Sequence, residues 1–250
     1  MVNGKRQQPR DNMVLVMKDD EKTHSCSDDR DGVSLPVGMN NATDIVLVVD
    51  DDPQVIRVLL RIMSACYQVE TAMTIAEALE NARGRPPAFI LLDVHLSYPP
   101  VADGLSCLTA LRKAGYDGPI FMLSADTAFE LVHKAARLGA NGFLAKCDPE
   151  RFLERLTKLL KQSLEAECRP TSLTPPATAY LETRGFNQND LELLGVLSRG
   201  FEQESDIARV LDREEQVIIE QLQTIRSRLG ARSQGDLARI LGVLSCFTPL

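Results

Sequence analysis

The sequence predicts an α/β doubly wound domain on a five-stranded parallel sheet, followed by a small all-α domain. Three observations carry this. Across residues 44–165, short runs of Ile, Val, Leu and Phe alternate with segments whose apolar residues recur at helical spacing, the pattern of βα units joined by right-handed crossovers. A Pro-, Ser- and Thr-rich stretch, CRPTSLTPPATAY, then breaks the periodicity and reads as a linker over 166–180. Beyond it, over 181–250, only helical spacing remains.

The elements follow in order. IVLVV at 45–49 is five consecutive aliphatic residues, as expected of a strand covered on both faces. Asp52 is a good N-cap and Pro53 suits a first helical turn, so a helix follows over 53–65. Further strands are expected around 68–72, at 88–93, 119–124 and 142–146, with helices over 75–83, 104–114, 127–138 and 150–164. The helical part divides into 187–199, 203–211, 214–229 and 233–243. Residues 1–43, rich in Asp, Lys, Asn, Ser and Gly without a sustained period, read as a flexible extension.

Composition narrows the function. Hydrophobic residues at 44% and charged residues at 25% are ordinary for a globular protein. A net charge of −7 argues against a chain whose main task is coating nucleic acid or anionic membrane. No segment approaches the roughly 18 to 20 apolar residues that span a bilayer, and the N-terminus lacks signal-peptide character. The six cysteines are scattered, with no CxxC pair, so a reduced, cytoplasmic protein is expected.

The chemistry gathers at strand ends. The first strand runs straight into Asp50, Asp51 and Asp52; such a cluster is either a solvated acidic turn with a helix cap or a place for a divalent cation. The third, fourth and fifth strands end in Asp93, Ser124 and Lys146. In a parallel sheet these all lie on one carboxyl edge, where open α/β sheets bind ligands. Burying unpaired charges costs several kcal/mol each, so a core role does not explain the set.

The motifs VLVVDDDP, FILLDV, FMLSA and GANGFLAK, in this order over about residues 44–165, resemble those of the receiver domains of two-component response regulators, which have a flavodoxin-like fold. The resemblance implies that Asp93 is the phosphoacceptor, taking a phosphoryl group from a histidine kinase or phosphotransfer protein. It implies a Mg²⁺ site made by Asp50, Asp51, Asp93 and the backbone carbonyl of His95. Lys146 would pair with a phosphoryl oxygen, Ser124 would donate to another, and Phe143 would be the switch aromatic; the plainer reading of Phe143 is a core aromatic. A phosphoacceptor regulator is implied rather than a turnover enzyme, although such a domain assists its own phosphoryl transfer and hydrolysis. Two departures stand out: the loop VHLSYPPVADG reaches its Asp-Gly pair three residues later than usual, and Cys147 stands where the family usually has proline. His95 and His133 read as surface or structural side chains. A competing reading takes Asp50 and Asp52 as the Asp-x-Asp pair of haloacid-dehalogenase-like phosphatases, but Gln54 stands where that family expects Thr or Val.

The helical part resembles the LuxR/NarL-type helix-turn-helix domain, mainly at scaffold positions such as Leu193, Leu194, Gly200, Ile207, Ala208, Leu222, Ile225 and Gly230. The reading helix departs: Glu214, Val217, Ile218, Ile219 and Gln221 replace the family's Ser N-cap, Thr-Val-Lys and His. From Leu181 to Leu250, eight Arg, no Lys and eleven acids leave a charge of −3, poor for attracting DNA. Arg226, Arg228 and Arg232 form a candidate basic patch, and Arg213 a candidate phosphate contact. The expected function is phosphorylation-controlled transcription, with promoter DNA and a homodimer among the implied partners. The alternative is a helical domain that binds a protein, with Ile218 and Ile219 as candidate exposed contacts; the helical stripe of Ile218, Leu222, Ile225 and Leu229 places Ile218 in the core instead.

Overall fold

The computed structural model describes residues 44–96, 103–126, 128–146, 152–164 and 172–247. The expectations for residues 1–43, for residues 97–102 of the loop after Asp93, for Cys147 and for residues 166–171 of the linker lie outside the described residues.

Five strands and five helices alternate: β1 Ile45–Val49, α1 Pro53–Met63, β2 Gln68–Ala72, α2 Ile75–Gly84, β3 Phe89–Asp93, α3 Gly104–Lys113, β4 Ile120–Ser124, α4 Phe129–Leu138, β5 Gly142–Ala145 and α5 Phe152–Leu164. All strand pairs are parallel, in the order β2-β1-β3-β4-β5. Strands alternate side chains between faces, and both faces are covered. Val46, Val48, Phe89, Leu91, Phe121 and Leu123 join the core beneath α1 and α5, whereas Leu47, Val49, Ile90, Leu92 and Met122 join the one beneath α3 and α4. This is why β1, β3 and β4 are buried throughout. The more polar β2 lies at one edge of the sheet.

Five helices follow: α6 Pro175–Thr183, α7 Gln188–Ser198, α8 Glu204–Leu211, α9 Glu215–Leu229 and α10 Gln234–Cys246. Helix α6 corrects the later part of the linker expected over 166–180, since residues 175–180 are helical. Its two prolines occupy the first helical turn, where a missing N–H costs nothing, so a composition typical of a linker opens a helix whose Ala177, Tyr180 and Leu181 are buried. Helices α8 and α9 are separated by Asp212, Arg213 and Glu214, with Asp212 in the left-handed region at φ 52°. An Asn187–Asp190 capping box starts α7.

The two halves share an interior. Helix α10 packs on α4 and β5, and one apolar cluster runs from the α3–α4 face of the sheet into the core of α6–α10. Phe247 meets Phe129 of α4 and Phe143 of β5 edge-on, at centroid distances of 5.3 and 5.4 Å, and Phe129 stacks on Tyr180. Edge strand β5 is thereby packed against α10, and covering an edge strand with a helix is a usual way to protect it.

Candidate functional site

The strand order changes direction between β1 and β3, so the ends of these neighbouring strands form the crevice where doubly wound sheets place ligands. Asp50 follows β1 and Asp93 ends β3. Both are buried, Asp50 fully, while Asp51 is half-buried. Ligand atoms of Asp50, Asp51 and Asp93 all lie within 4.8 Å of one another.

Lys146, just past β5, closes the cluster. Its Nζ lies 2.7 Å from Asp50 Oδ2 and 3.0 Å from Asp93 Oδ1. The Asp93 contact is an ion pair out of line for a hydrogen bond, which leaves Oδ1 a buried acceptor without an aligned donor. Asp50 Oδ1 accepts from the Asp52 backbone N–H at 2.9 Å. Burial, then the neighbouring Asp93 charge, pushes the Asp50 carboxyl up to about 6 despite the opposing pull of Lys146. Burial works against the Lys146 ammonium as well, but Asp93 and Asp50 outweigh it and hold its pKa above the ordinary lysine range.

Ser124 ends β4 fully buried, and its Oγ accepts from the Asp126 N–H at 3.0 Å, leaving the hydroxyl proton to donate elsewhere. Phe143 is buried in β5 against Phe247. His95 follows two residues after Asp93 with its side chain exposed. Asp52 is exposed and caps α1 through a 2.8 Å bond from the Gln54 N–H, so the phosphatase reading, which needs Asp52 as a proton-transferring partner in the site, loses its second residue.

Gly104 was not singled out for the site from sequence. Its N–H donates to Val94 O at 2.8 Å, and a Cβ here would overlap the Asp93 carbonyl oxygen. Only glycine lets α3 begin this close to the acid. The Asp-Gly pair was the available signal: Asp103 caps α3 by accepting from the Ser106 N–H at 2.7 Å.

A Mg²⁺ ion fits this donor set. Three carboxylates with converging oxygens, one buried and without an aligned donor, are the hard oxygen ligands that the ion takes. Its charge would offset their mutual repulsion.

Comparison with known proteins agrees with this geometry. Residues 46–157 match the family model described as response regulator receiver domain. Those residues are a receiver domain of a two-component response regulator. The chain is 40% identical over 102 residues to the transcriptional regulatory protein PrrA of Mycobacterium leprae, covering 40% of this chain and 42% of that one. It is 35% identical over 124 residues to the transcriptional regulatory protein KdpE of Mycobacterium tuberculosis, covering 49% and 53%. The solved chemotaxis protein CheY4 of Vibrio cholerae is 32% identical, covering 48% of this chain and all of that one, at a TM-score of 0.44. The chain thus spans about two-fifths of the length of PrrA and about half that of KdpE.

The arginines outside the receiver domain are placed differently from one another. Arg213 pairs with Glu192 at 2.8 Å, and Arg228 pairs with Asp190 at 3.2 Å while stacking on Phe186. Both are engaged among helices α6–α10. Arg226 is half-buried and Arg232 exposed. Ile218 is fully buried on the core stripe and Ile219 half-buried, so the exposed apolar side chain of α9 is Val217, at 47%. Among the described residues no helix is long and apolar enough to cross a membrane.

Proposed function

We propose that the chain is a phosphorylation-switched regulator whose receiver domain accepts a phosphoryl group on Asp93 and whose helical domain controls transcription. The observation that carries this is the convergence of Asp50, Asp51 and Asp93 with Lys146 held between two of them. An Asp93 carboxylate oxygen attacks the phosphorus of a phosphohistidine on a histidine kinase or phosphotransfer protein. The P–N bond breaks and the imidazole leaves. Asp50, Asp51, Asp93 and the His95 carbonyl would hold Mg²⁺, which when bound neutralises charge on the transferring group. The new acyl phosphate competes with Asp50 for the Lys146 ammonium, and Ser124 donates its hydroxyl to another phosphoryl oxygen. Movement of these groups reaches the helical domain through Phe143, which is clasped by Phe247. The domain is a phosphoacceptor, not a turnover enzyme.

The α8–turn–α9 unit, with its three-residue turn, supports a helix-turn-helix reading. Promoter DNA is the corresponding partner, with Arg226 and Arg232 as its remaining candidate contacts. A second reading has a specific observation behind it: the exposed positions of α9 include Glu215, Val217 and Glu220, and its exposed arginine, Arg228, is already paired with Asp190, which suits a protein partner better than a polyanion.

The test is incorporation of label from acetyl phosphate with Mg²⁺ into the full chain. Label is expected on the wild type and lost in Asp93→Ala; absence of label, or label that survives this substitution, overturns the reading. A salt-titrated promoter-binding assay on the phosphorylated chain separates the two outputs: steep weakening with salt supports DNA, and absent binding supports a protein partner.

A further inference from the structure

His133 belongs to no part of the phosphoryl site. It is a receiver-domain residue on α4, buried to 4% exposure where the helical domain seats, so the surface or structural role expected from sequence becomes an interface role. Its Nε2 lies 3.1 Å from the Leu229 carbonyl at the end of α9, and its Nδ1 lies 2.9 Å from the Tyr180 hydroxyl of α6. A carbonyl only accepts, so Nε2 carries the proton and Nδ1 accepts from Tyr180 O–H. One neutral imidazole thus satisfies groups on two helices of the other domain.

We propose that His133 makes the seating of the helical domain on the receiver domain pH-sensitive: the neutral imidazole holds the two together, and its protonation releases them.

A second ring proton removes the acceptor that the Tyr180 hydroxyl uses and leaves a cation in a buried seam. Burial already pushes His133 below its ordinary value; Arg184 and Arg137 push the same way, while the Leu229 carbonyl and Glu130 oppose them. The seam is crowded with cations. Arg137 of α4 lies against Gly230, the C-cap of α9. From α10, Arg239 donates to the carbonyls of Ala136 and Ala140, and it also pairs with Asp236. From α6, the Tyr180 hydroxyl, held above the ordinary tyrosine range chiefly by burial, stays a donor rather than a compensating anion. The sign follows by linkage. The seated state binds the proton less well than the released state, so seating is complete above about 6.5, the ordinary histidine value, and weakens as pH falls below it. If the seated imidazole stays neutral, release rises about tenfold between pH 7.5 and 5.5. Phosphorylation is not required.

The test is hydrogen exchange on the full, unphosphorylated chain without phosphodonor, corrected for the intrinsic pH dependence of exchange. Exchange at the α10 amides is expected to rise about tenfold from pH 7.5 to 5.5 while β3 amides stay protected. In His133→Gln, whose amide can replace both hydrogen bonds without titrating, the rise is expected to vanish. A wild type with no rise, or a variant with the same rise, overturns the proposal. If the variant loses protection at both pH values, the wild-type His133 imidazole signal decides by NMR. A midpoint clearly below 6.5 supports the proposal, and one at or above 6.5 overturns it.

Discussion

Replacing Lys146 by Met tests the electrostatic design of the site directly. The ammonium lies 2.7 and 3.0 Å from carboxylates on two strands, with its own side chain 16% exposed and theirs 0% and 5%. Removing one partner from a buried ion pair costs about 3–5 kcal/mol. Some water reaches Lys146, which favours the lower end. Proton uptake by Asp50 limits the loss, at a cost of about 1.4 kcal/mol for each pH unit above its value of about 6. A net loss of about 3 kcal/mol at pH 7 is therefore expected in EDTA, a fall in Tm of roughly 6–12 °C for a chain of this size. At pH 5.5 one carboxyl is already mostly neutral, and the deficit should shrink to roughly half. Saturating Mg²⁺ should also narrow it, by supplying positive charge to the same oxygens. Urea unfolding at both pH values, with and without the ion, measures all three effects. A variant as stable as the wild type at pH 7 in EDTA, or a deficit that neither acid nor Mg²⁺ changes, would refute the reasoning.

Four further outcomes are expected. Because the Asp50 pKa is raised from 3.8 to about 6, stability linked to its neutral form is fully present below 3.8 and lost as pH rises through about 6, about 3 kcal/mol in total without metal; carboxyl ¹³C titration in EDTA should place one aspartate near 6. Gly104→Ala forces a Cβ into the Asp93 carbonyl and should cost about 3 kcal/mol, the upper end for overpacking, with weaker Mg²⁺ binding by calorimetry. Phe247→Ala removes edge contacts to Phe129 and Phe143 from a side chain 3% exposed, with an expected loss of about 3–5 kcal/mol in urea unfolding. Burial pushes the Cys246 thiol up to about 11 and Cys107 up to about 12, so both should stay unalkylated by iodoacetamide at pH 8 in the native chain and react on unfolding, read by mass spectrometry.

The α/β half was legible because its signals are local. Ile45–Val49 announces a doubly covered strand by its run of aliphatics, Asp52 and Pro53 announce the next helix, and the acids stand at strand ends that parallel connectivity brings together. Strand bounds agree to within one residue and the first helix ends two residues early, at Met63. Helix α10 extends to Cys246, three residues past expectation, because Phe247 has a partner surface that no local pattern reveals. Helix α6 was hidden for the same reason: Pro175 and Pro176 look like a linker until Tyr180 is seen stacked on Phe129. His133 likewise becomes meaningful only through residues 47 and 96 positions away. By charge, Arg213 reads as a phosphate contact and Arg228 as part of a basic patch, but their carboxylate partners lie 21 and 38 positions away.

The shared apolar interior also limits how this chain can be recombined. Domains joined by a tether can be exchanged like cartridges, since neither leans on its neighbour. Here Phe247 and Tyr180 are packed against side chains that belong to the other half. Grafting the last five helices onto a foreign partner would leave those aromatic rings facing water, and the chimera would be sticky before it was functional. Substitutions at Phe129 or His133 on one side of the seam are therefore coupled to substitutions at Tyr180 and Phe247 on the other.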